Sequence, residues 1–166
     1  HPAHAAYLYG GPMAEAIKRF KYGGRVEFGN WFGAHLGAAA CRWGPDCDLV
    51  LPVPLHPSRL RARGYNQSAI LARVSAGVLG LPWRAGLLRR CRDTPSQAGL
   101  DREVRVRNLR GAFRARPAVG GRKVLLVDDV RTTGATLEAA GAALRGAGAV
   151  SVHGLVLARA ESGGVR

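Results

Sequence analysis

VLLVDDVRTTGAT, residues 124–136, sets four apolar residues before two aspartates, a small polar loop and the helix-forming run LEAAGAALR. The apolar run predicts a buried parallel strand ending at the aspartates, RKVLLVDD (122–129), and the run after the loop predicts a helix at about 136–146. Ligands bind an open parallel sheet in the crevice beyond the carboxyl ends of its strands. Asp128 and Asp129 are therefore candidate catalytic and ligand-binding residues.

The polar loop after the aspartates has the chemistry of a phosphate cradle. It leads into a helix N-terminus, where backbone N–H groups converge and the dipole favours an anion, and its glycine permits a tight turn. Carboxylates would repel a bare phosphate, but they accept hydrogen bonds from sugar hydroxyls or bind magnesium. Helix capping would explain one acid and one threonine, whereas the whole combination predicts a sugar phosphate. The loop candidates are Arg131, Thr132, Thr133, Gly134, Ala135 and Thr136.

Apolar periodicity along the rest of the chain predicts an α/β fold. Helices are expected at about 11–22, 27–42 and 68–79, the last capped by Asn66, and strands at 48–53, 85–90, 111–115 and 151–159. This order favours a mainly parallel sheet flanked by helices, in a single domain over residues 1–166 with an N-terminal helical part, 1–45. A basic loop is predicted at 55–67. Residues 91–111, which are polar and lack a period, are predicted to form a flexible hood.

The composition limits the classes of function. The chain has 166 residues, is 47% hydrophobic and 22% charged, and contains no apolar run near the ~20 residues of a membrane helix. Its cysteines form no CxxC pair and its histidines are scattered, so we expect a cytoplasmic protein with reduced thiols and no zinc site. The net charge is +14, and residues 59–123 hold 16 basic residues against 3 acidic ones. That stretch predicts a polyanionic partner, phosphates or nucleic acid.

The aromatic residues fall into two groups. Those in apolar contexts are predicted core residues. The others alternate with lysines and arginines near the N-terminus, which fits either a nucleic-acid surface or an ordinary amphipathic helix. The first group is Trp31, Phe32, Trp43 and Trp83, and the second is Tyr7, Tyr9, Phe20 and Tyr22.

Residues 124–136 resemble the ribose-phosphate signature of type I phosphoribosyltransferases, in which apolar residues, two acids and a residue pair precede T-T-G-x-T. The resemblance implies the type I phosphoribosyltransferase fold. It also implies that Asp128 and Asp129 contact the ribose hydroxyls of phosphoribosyl pyrophosphate, that Thr132 to Thr136 hold its 5′-phosphate, and that Mg²⁺ binds through the ligand and the two aspartates. The absence of GxxxxGK[ST] disfavours a nucleotide triphosphatase.

Three further segments resemble the ComF family of competence proteins: YGGPMAEAIKRFKYGGR (9–25), PVPLHPSRLRARGYNQ (52–67) and TPSQAGLDREVRVRNLRGAF (94–113). Many members begin with a four-cysteine zinc ribbon, and no ribbon precedes the KYGG segment in this sequence. Any role that the ribbon carries is therefore an open question for this chain.

The ComF resemblance adds candidate residues outside residues 124–136. Related enzymes bind pyrophosphate at the loop after the strand at 48–53, where Arg59, Arg61 and Arg63 could supply forked donors to its oxygens. A solvated face is the alternative, and Arg63 is favoured because it lies in the family's RGYNQ motif. His56 could also donate to a phosphate, although it is equally explained as a turn residue. Gln97, Arg105 and Asn108 match the family pattern in the hood, for which a solvated basic loop is the alternative.

The ComF family is associated with natural transformation. The resemblance therefore implies an accessory protein for DNA uptake that carries a ribose-phosphate site, binds single-stranded DNA and contacts a helicase or another uptake protein. Two alternatives stay open: a magnesium-dependent transferase with an unknown acceptor, and a regulator that senses phosphoribosyl pyrophosphate without chemistry. Release of pyrophosphate would identify the transferase, and salt-dependent DNA binding would identify the accessory protein.

Overall fold

The computed structural model of the chain describes residues 3–94 and 102–160. Helices and strands alternate along much of this part of the chain, with short 3-10 turns at Ala85–Leu87 and Pro117–Val119. In chain order the elements are β1 (Ala3–Leu8), α1 (Gly11–Tyr22), α2 (Phe28–Trp43), β2 (Leu49–Pro52), α3 (Pro57–Arg63), α4 (Gln67–Leu79), β3 (Leu88–Arg90), α5 (Arg102–Leu109), β4 (Phe113–Ala115), β5 (Lys123–Arg131), α6 (Ala135–Gly146) and β6 (Ser151–Arg159).

The main sheet has the strand order β1-β6-β5-β2, and every pairing in it is parallel. Strand β5 lies inside the sheet, with Lys123 opposite Ser151 of β6 on one side and Val124 opposite Leu49 of β2 on the other. Strands β3 and β4 form a separate antiparallel pair. The predicted α/β class and the mainly parallel sheet flanked by helices are confirmed.

Apolar cores lie on both faces of the sheet. One core joins Leu126 of β5 to Leu144 of α6, and the other joins Leu125 to Phe32 of α2 and Leu71 of α4. Because successive side chains of a strand point to opposite faces, a strand covered on both sides is apolar at every position. This explains the unbroken run from Val124 to Val127, which leaves the first polar positions at the carboxyl end of β5.

Several elements differ from the sequence prediction, two of them in the first half of the chain. Residues Ala3–Leu8 form strand β1 inside the segment predicted to be helical, because pairing with β6 outweighs the weak strand propensity of the alanine-rich AHAAYL. Residues Pro57–Arg63 form helix α3 inside the predicted basic loop. Pro57 suits the first turn, and Gly64, at φ 85°, ends the helix in the left-handed region.

The predicted hood also contains structure that its sequence does not indicate. Helix α5 lies within residues 91–111, although the valines at 104 and 106 have the spacing of a strand. Thr94 and Leu109 are buried, so this polar segment contributes two residues to the interior. Residues 95–101 lie outside the described part of the chain.

Trp31 is predicted to be a core residue and is 52% exposed, with its ring centroid 4.0 Å from that of His35. The neighbouring Phe32 takes the inward position on α2. An apolar context alone does not say which of two adjacent aromatic residues points inward. Within the described residues, no helix has the length and apolar character needed to cross a membrane.

Candidate functional site

The two candidate aspartates lie at the carboxyl end of β5, as predicted, in different surroundings. Asp129 is 4% exposed, and its Oδ1 accepts the Val130 N–H at 2.6 Å. Its Oδ2 is buried and has no hydrogen-bond partner among the described residues. The Lys21 ammonium of α1 lies 3.1 Å from Oδ1. Burial, the largest single influence, would lower the pKa of Lys21, but the charge and hydrogen bond of Asp129 and the charge of Asp128 together raise it.

Asp128 is half-buried and is held by two donors. Its Oδ1 accepts the Ser68 hydroxyl at 2.9 Å and the Asp129 backbone N–H at 2.9 Å. Burial, and then the neighbouring charge of Asp129, raises the pKa of Asp128 to about 7, although the hydrogen bond from Ser68 opposes this shift. The raised pKa favours the protonated carboxyl, which can donate a hydrogen bond to a ligand as well as accept one.

Ser68 reaches Asp128 because of the way helix α4 begins. Asn66 caps α4, as predicted, and its Oδ1 accepts the Ser68 N–H at 3.0 Å. Its side-chain amide also donates to the Val53 carbonyl at 3.1 Å, which ties the start of α4 to the chain just after β2. The sequence predicted the Asn66 cap, but it did not predict that the Ser68 hydroxyl would point toward Asp128.

The predicted loop follows β5 and encloses a small cavity of about 30 Å³. Gly134 takes φ 83°, and α6 begins at the next residue. The Ala135 N–H makes only a long contact of 3.5 Å to Thr133 Oγ1, and no side chain of the N-cap residue caps the helix. The cavity is lined by Leu109, Asp128, Val130, Arg131, Thr132, Thr133, Gly134, Ala135, Thr136 and Leu137. The structure thus brings Asp128 and all six loop candidates to one place.

A second group of polar side chains joins α3 to the residues after β3. His56 caps α3 by accepting the Ser58 N–H at 3.3 Å, and the Ser58 hydroxyl donates to Asp93. Ser58, followed by the charges of His56 and Arg59, lowers the pKa of Asp93. The structure thus gives His56 the turn-forming role that the sequence left open, and its contact with a phosphate stays a prediction.

Arg90 was missed by sequence reasoning and is the most deeply buried cation of this group. It is 8% exposed, it donates to the Thr94 hydroxyl, and its Nε has no partner among the described residues. Its guanidinium lies 5.5 Å from the Phe113 ring centroid. Arg59 donates to the carbonyl of the same Thr94, so two guanidinium groups converge there. Burial, and then the charge of Arg59, lowers the pKa of Arg90.

The remaining candidates lie at the edge of the site or outside it. Arg63 donates to Gln67 Oε1 at 2.6 Å and lies over the Tyr22 ring, on the side of α3 that faces α1. Asn108 is half-buried near the end of α5, one residue before the cavity-lining Leu109. Arg105 lies on α5, and only its backbone is described. Gln97 is outside the described residues.

The fold and the sequence place this chain in a known class. The chain is similar to a solved structure of glutamine phosphoribosylpyrophosphate amidotransferase from B. subtilis in complex with ADP and GMP, with a TM-score of 0.54 and 25% identity over 77% of this chain and 25% of that chain. Residues 68–166 match the phosphoribosyl transferase domain family. The chain belongs to this family, and the predicted type I phosphoribosyltransferase fold is confirmed.

Curated relatives narrow the class. The DNA utilization protein YhgH of Escherichia coli (strain K12) is 36% identical over 151 residues, which cover 87% of this chain and 66% of that protein. Competence protein F of Haemophilus influenzae is 36% identical over 116 residues, which cover 68% of this chain and 51% of that protein. These relatives confirm the resemblance to the ComF family. The chain spans about half the length of most of the curated relatives that it matches.

Proposed function

We propose that this chain is a ComF-type accessory protein for DNA uptake and that the carboxyl end of β5 binds the ribose phosphate of phosphoribosyl pyrophosphate. One observation carries the ribose-phosphate site: the buried Oδ2 of Asp129, next in the chain to the cavity-lining Asp128, has no hydrogen-bond donor among the described residues. A buried carboxylate oxygen without a hydrogen bond is costly. Ribose hydroxyls would supply the missing donors.

The loop and the basic residues would divide the phosphates between them. Backbone N–H groups at the start of α6, together with the Thr132 and Thr136 hydroxyls, are suited to the 5′-phosphate. Arg59 and Arg90 converge on Thr94 and are suited to pyrophosphate, because a guanidinium group donates two parallel hydrogen bonds to phosphate oxygens. The acids would then hold the sugar between two sets of phosphate donors.

The acid pair also fits a magnesium ion. Mg²⁺ prefers oxygen ligands and is usually bound by one or two carboxylates plus substrate phosphates. Asp128 and Asp129 offer two carboxylates, while residues 3–94 and 102–160 hold no group of three or more His, Cys, Asp or Glu placed to bind a metal ion. The remaining ligands would be oxygens of the sugar phosphate and water, so that ion and ligand bind together. When bound, the ion would neutralise part of the charge on pyrophosphate.

Calorimetric titration with phosphoribosyl pyrophosphate, with and without Mg²⁺, tests the site. We expect magnesium-dependent binding by the parent protein and its loss in the Asp128→Asn/Asp129→Asn double variant. Asp46→Asn is the control, because it removes a carboxylate that is mostly exposed and paired with Lys123 away from the loop. Binding that survives in the double variant, or that the parent never shows, would remove the ribose-phosphate site from the proposal.

The role in DNA uptake is supported by the names of the relatives and by the excess of positive charge over residues 59–123. Phosphate contacts make DNA binding strongly dependent on salt, and a protein with several such contacts loses about 10³-fold or more in affinity between 50 and 200 mM salt. We expect single-stranded DNA to bind with a steep salt dependence. A DNA affinity that does not change with salt concentration, or no DNA binding, would contradict this role. Co-purification tests separately for a helicase or another uptake-protein partner.

The same acid pair also favours a second candidate function, transfer of the phosphoribosyl group with release of pyrophosphate. An arginine pair that stabilises the leaving pyrophosphate would assist the reaction as charge develops on it. Assays for pyrophosphate release with candidate bases and amines separate transfer from the third alternative, a sensor that binds phosphoribosyl pyrophosphate without turnover.

A further inference from the structure

A cavity separate from the loop cavity lies between the end of α1 and helix α3. It has a volume of about 250 Å³. We call it the tyrosine pocket, and it is lined by Lys21, Tyr22, Gly24, Arg59, Ala62, Arg63 and Tyr65. Three of these residues are cations, two carry phenol rings, and none of the described lining residues is acidic. The pocket thus combines aromatic surface with positive charge.

The aromatic side chains are held in place before any ligand binds. Arg63 lies over the Tyr22 ring, 4.9 Å from its centroid, and is itself fixed by a hydrogen bond to the buried Gln67. Tyr65 donates its hydroxyl hydrogen to the Phe20 carbonyl and packs against the Phe20 ring. A pocket with fixed walls loses less conformational entropy when it binds a ligand.

Tyr22 remains 74% exposed in spite of its contact with Arg63. A large ring left in water at the mouth of a cationic pocket gains stability when a flat apolar surface covers it. Nucleobases stack on aromatic side chains and on arginine planes, and the stacking tolerates any base. The position of Tyr22 therefore favours a ligand that carries both a base and a negative charge.

Lys21 connects the tyrosine pocket to the ribose-phosphate site. It lines the pocket and also forms the ion pair with Asp129 at 3.1 Å. Lys21 thus lies between a ligand in the pocket and Asp129, and the neighbouring Asp128 lines the loop cavity.

We propose that the tyrosine pocket binds a nucleotide, with its base stacked on Tyr22 and its phosphate near Lys21. This inference deepens the proposed function, since it names the unit that the protein recognises beside its ribose-phosphate site. The same chemistry is offered by a free mononucleotide and by one unit of a single DNA strand.

Fluorescence anisotropy with a labelled oligothymidylate, and calorimetry with thymidine monophosphate, test the pocket. Tyr22→Ala should weaken nucleotide binding by about 5-fold or more, the effect of removing one stacking ring. Tyr22→Phe should bind like the parent, because the ring is retained. Trp31→Ala is the control, since it removes another exposed aromatic ring outside the pocket. Circular dichroism confirms that each variant is folded.

The outcomes separate this inference from the ribose-phosphate site. Weaker binding of both probes in Tyr22→Ala identifies a pocket for free nucleotides, and weaker binding of the oligothymidylate alone identifies a pocket for a base of the strand. Unchanged affinity in Tyr22→Ala, or an equal loss in Trp31→Ala, overturns the proposal. Titration with phosphoribosyl pyrophosphate should be unaffected by Tyr22→Ala, so a failure of that ligand to bind the parent leaves the pocket result standing.

Discussion

The candidate site has an acid side and a cation side, which differ in how far apart in sequence their residues lie. The acids and the loop form one continuous stretch, Asp128 to Thr136, at the end of one strand and the start of one helix. The cations Lys21, Arg59 and Arg90 come from α1, α3 and β3, which are far apart in sequence. The acid side thus depends on local sequence, and the cation side depends on how distant elements pack. Substitutions on the acid side and on the cation side should therefore differ in their effects on stability and on ligand affinity.

The largest effect on stability is expected where the two sides meet, at Lys21. Lys21→Met leaves the buried Asp129 without its cation. Breaking a fully buried ion pair costs about 3–5 kcal/mol. We expect about 2–3 kcal/mol here, because the Lys21 side chain is 21% exposed and solvent screens part of the attraction. Urea unfolding of the parent and the variant measures the difference.

Lys18→Met is the matched control for Lys21→Met, since both lysines belong to α1 and pair with a carboxylate. Lys18 and Glu15 are both more than half exposed, so their ion pair contributes little to stability. If both variants lose the same free energy of unfolding, the loss is due to replacing a lysine on α1 and not to the ion pair with Asp129. The idea that Lys21 joins the two sides would then be wrong.

The next largest effect is expected on ligand affinity, at Arg90. Arg90→Gln removes a buried guanidinium that converges with Arg59 on Thr94. Hydrogen bonds to charged groups contribute about 1.5–3 kcal/mol, so affinity for inorganic pyrophosphate should fall about 10- to 150-fold. Arg89→Gln, which makes the same charge change at the adjacent, exposed position of β3, should leave the affinity within about 2-fold.

Calorimetry on these two β3 variants with pyrophosphate and with ribose 5-phosphate separates the cation side from the acid side. Only the pyrophosphate affinity should respond to Arg90→Gln, because the 5′-phosphate is assigned to the loop on the acid side. A parallel loss for both ligands would mean that Arg90 supports the whole site and not its cation side alone.

The raised pKa of Asp128 predicts two pH effects of opposite sign. Its pKa of about 7 in the folded protein exceeds the ordinary value of 3.8, so the folded state holds more protons between these values. The free energy of unfolding should therefore fall as pH rises from 4 to 7. Affinity for phosphoribosyl pyrophosphate with Mg²⁺ should rise over the same range, because the ionised carboxylate binds the cation.

Unfolding and calorimetry at pH 5 and pH 8 test both effects, with Asp128→Asn for comparison. This variant lacks the titrating group, so it should lose the part of each pH dependence that Asp128 causes, while titration of the ligand's own phosphates remains. If the parent and Asp128→Asn show the same pH dependence, a group other than Asp128 causes it.

The contrast between the two sides also explains what could be predicted from the sequence. The parallel sheet, the aspartates and the loop were predictable, because strand burial and helix start signals act over a few neighbouring residues. Arg90 was not, since the pair Arg89-Arg90 gives no sign of which guanidinium turns inward until β3 pairs with β4. Lys21 belongs to an amphipathic helix, and its partner Asp129 is distant in sequence. Strand β1 depends on its pairing with β6.

The smallest effect is expected at Ser68, which brings a distant element to the acid side. Ser68→Ala removes the hydroxyl that donates to Asp128 and should cost about 1 kcal/mol in stability. It should also raise the pKa of Asp128, because that hydrogen bond favours the ionised form.

Ser75→Ala is a close control on the same helix: its buried hydroxyl donates to the Gly33 carbonyl at 3.0 Å. Both variants should lose similar stability, but only Ser68→Ala should shift the pH dependence of ligand binding to higher pH. A shift of the pH dependence in both variants, or in neither, would show that the Ser68 hydrogen bond does not specifically set the pKa of Asp128.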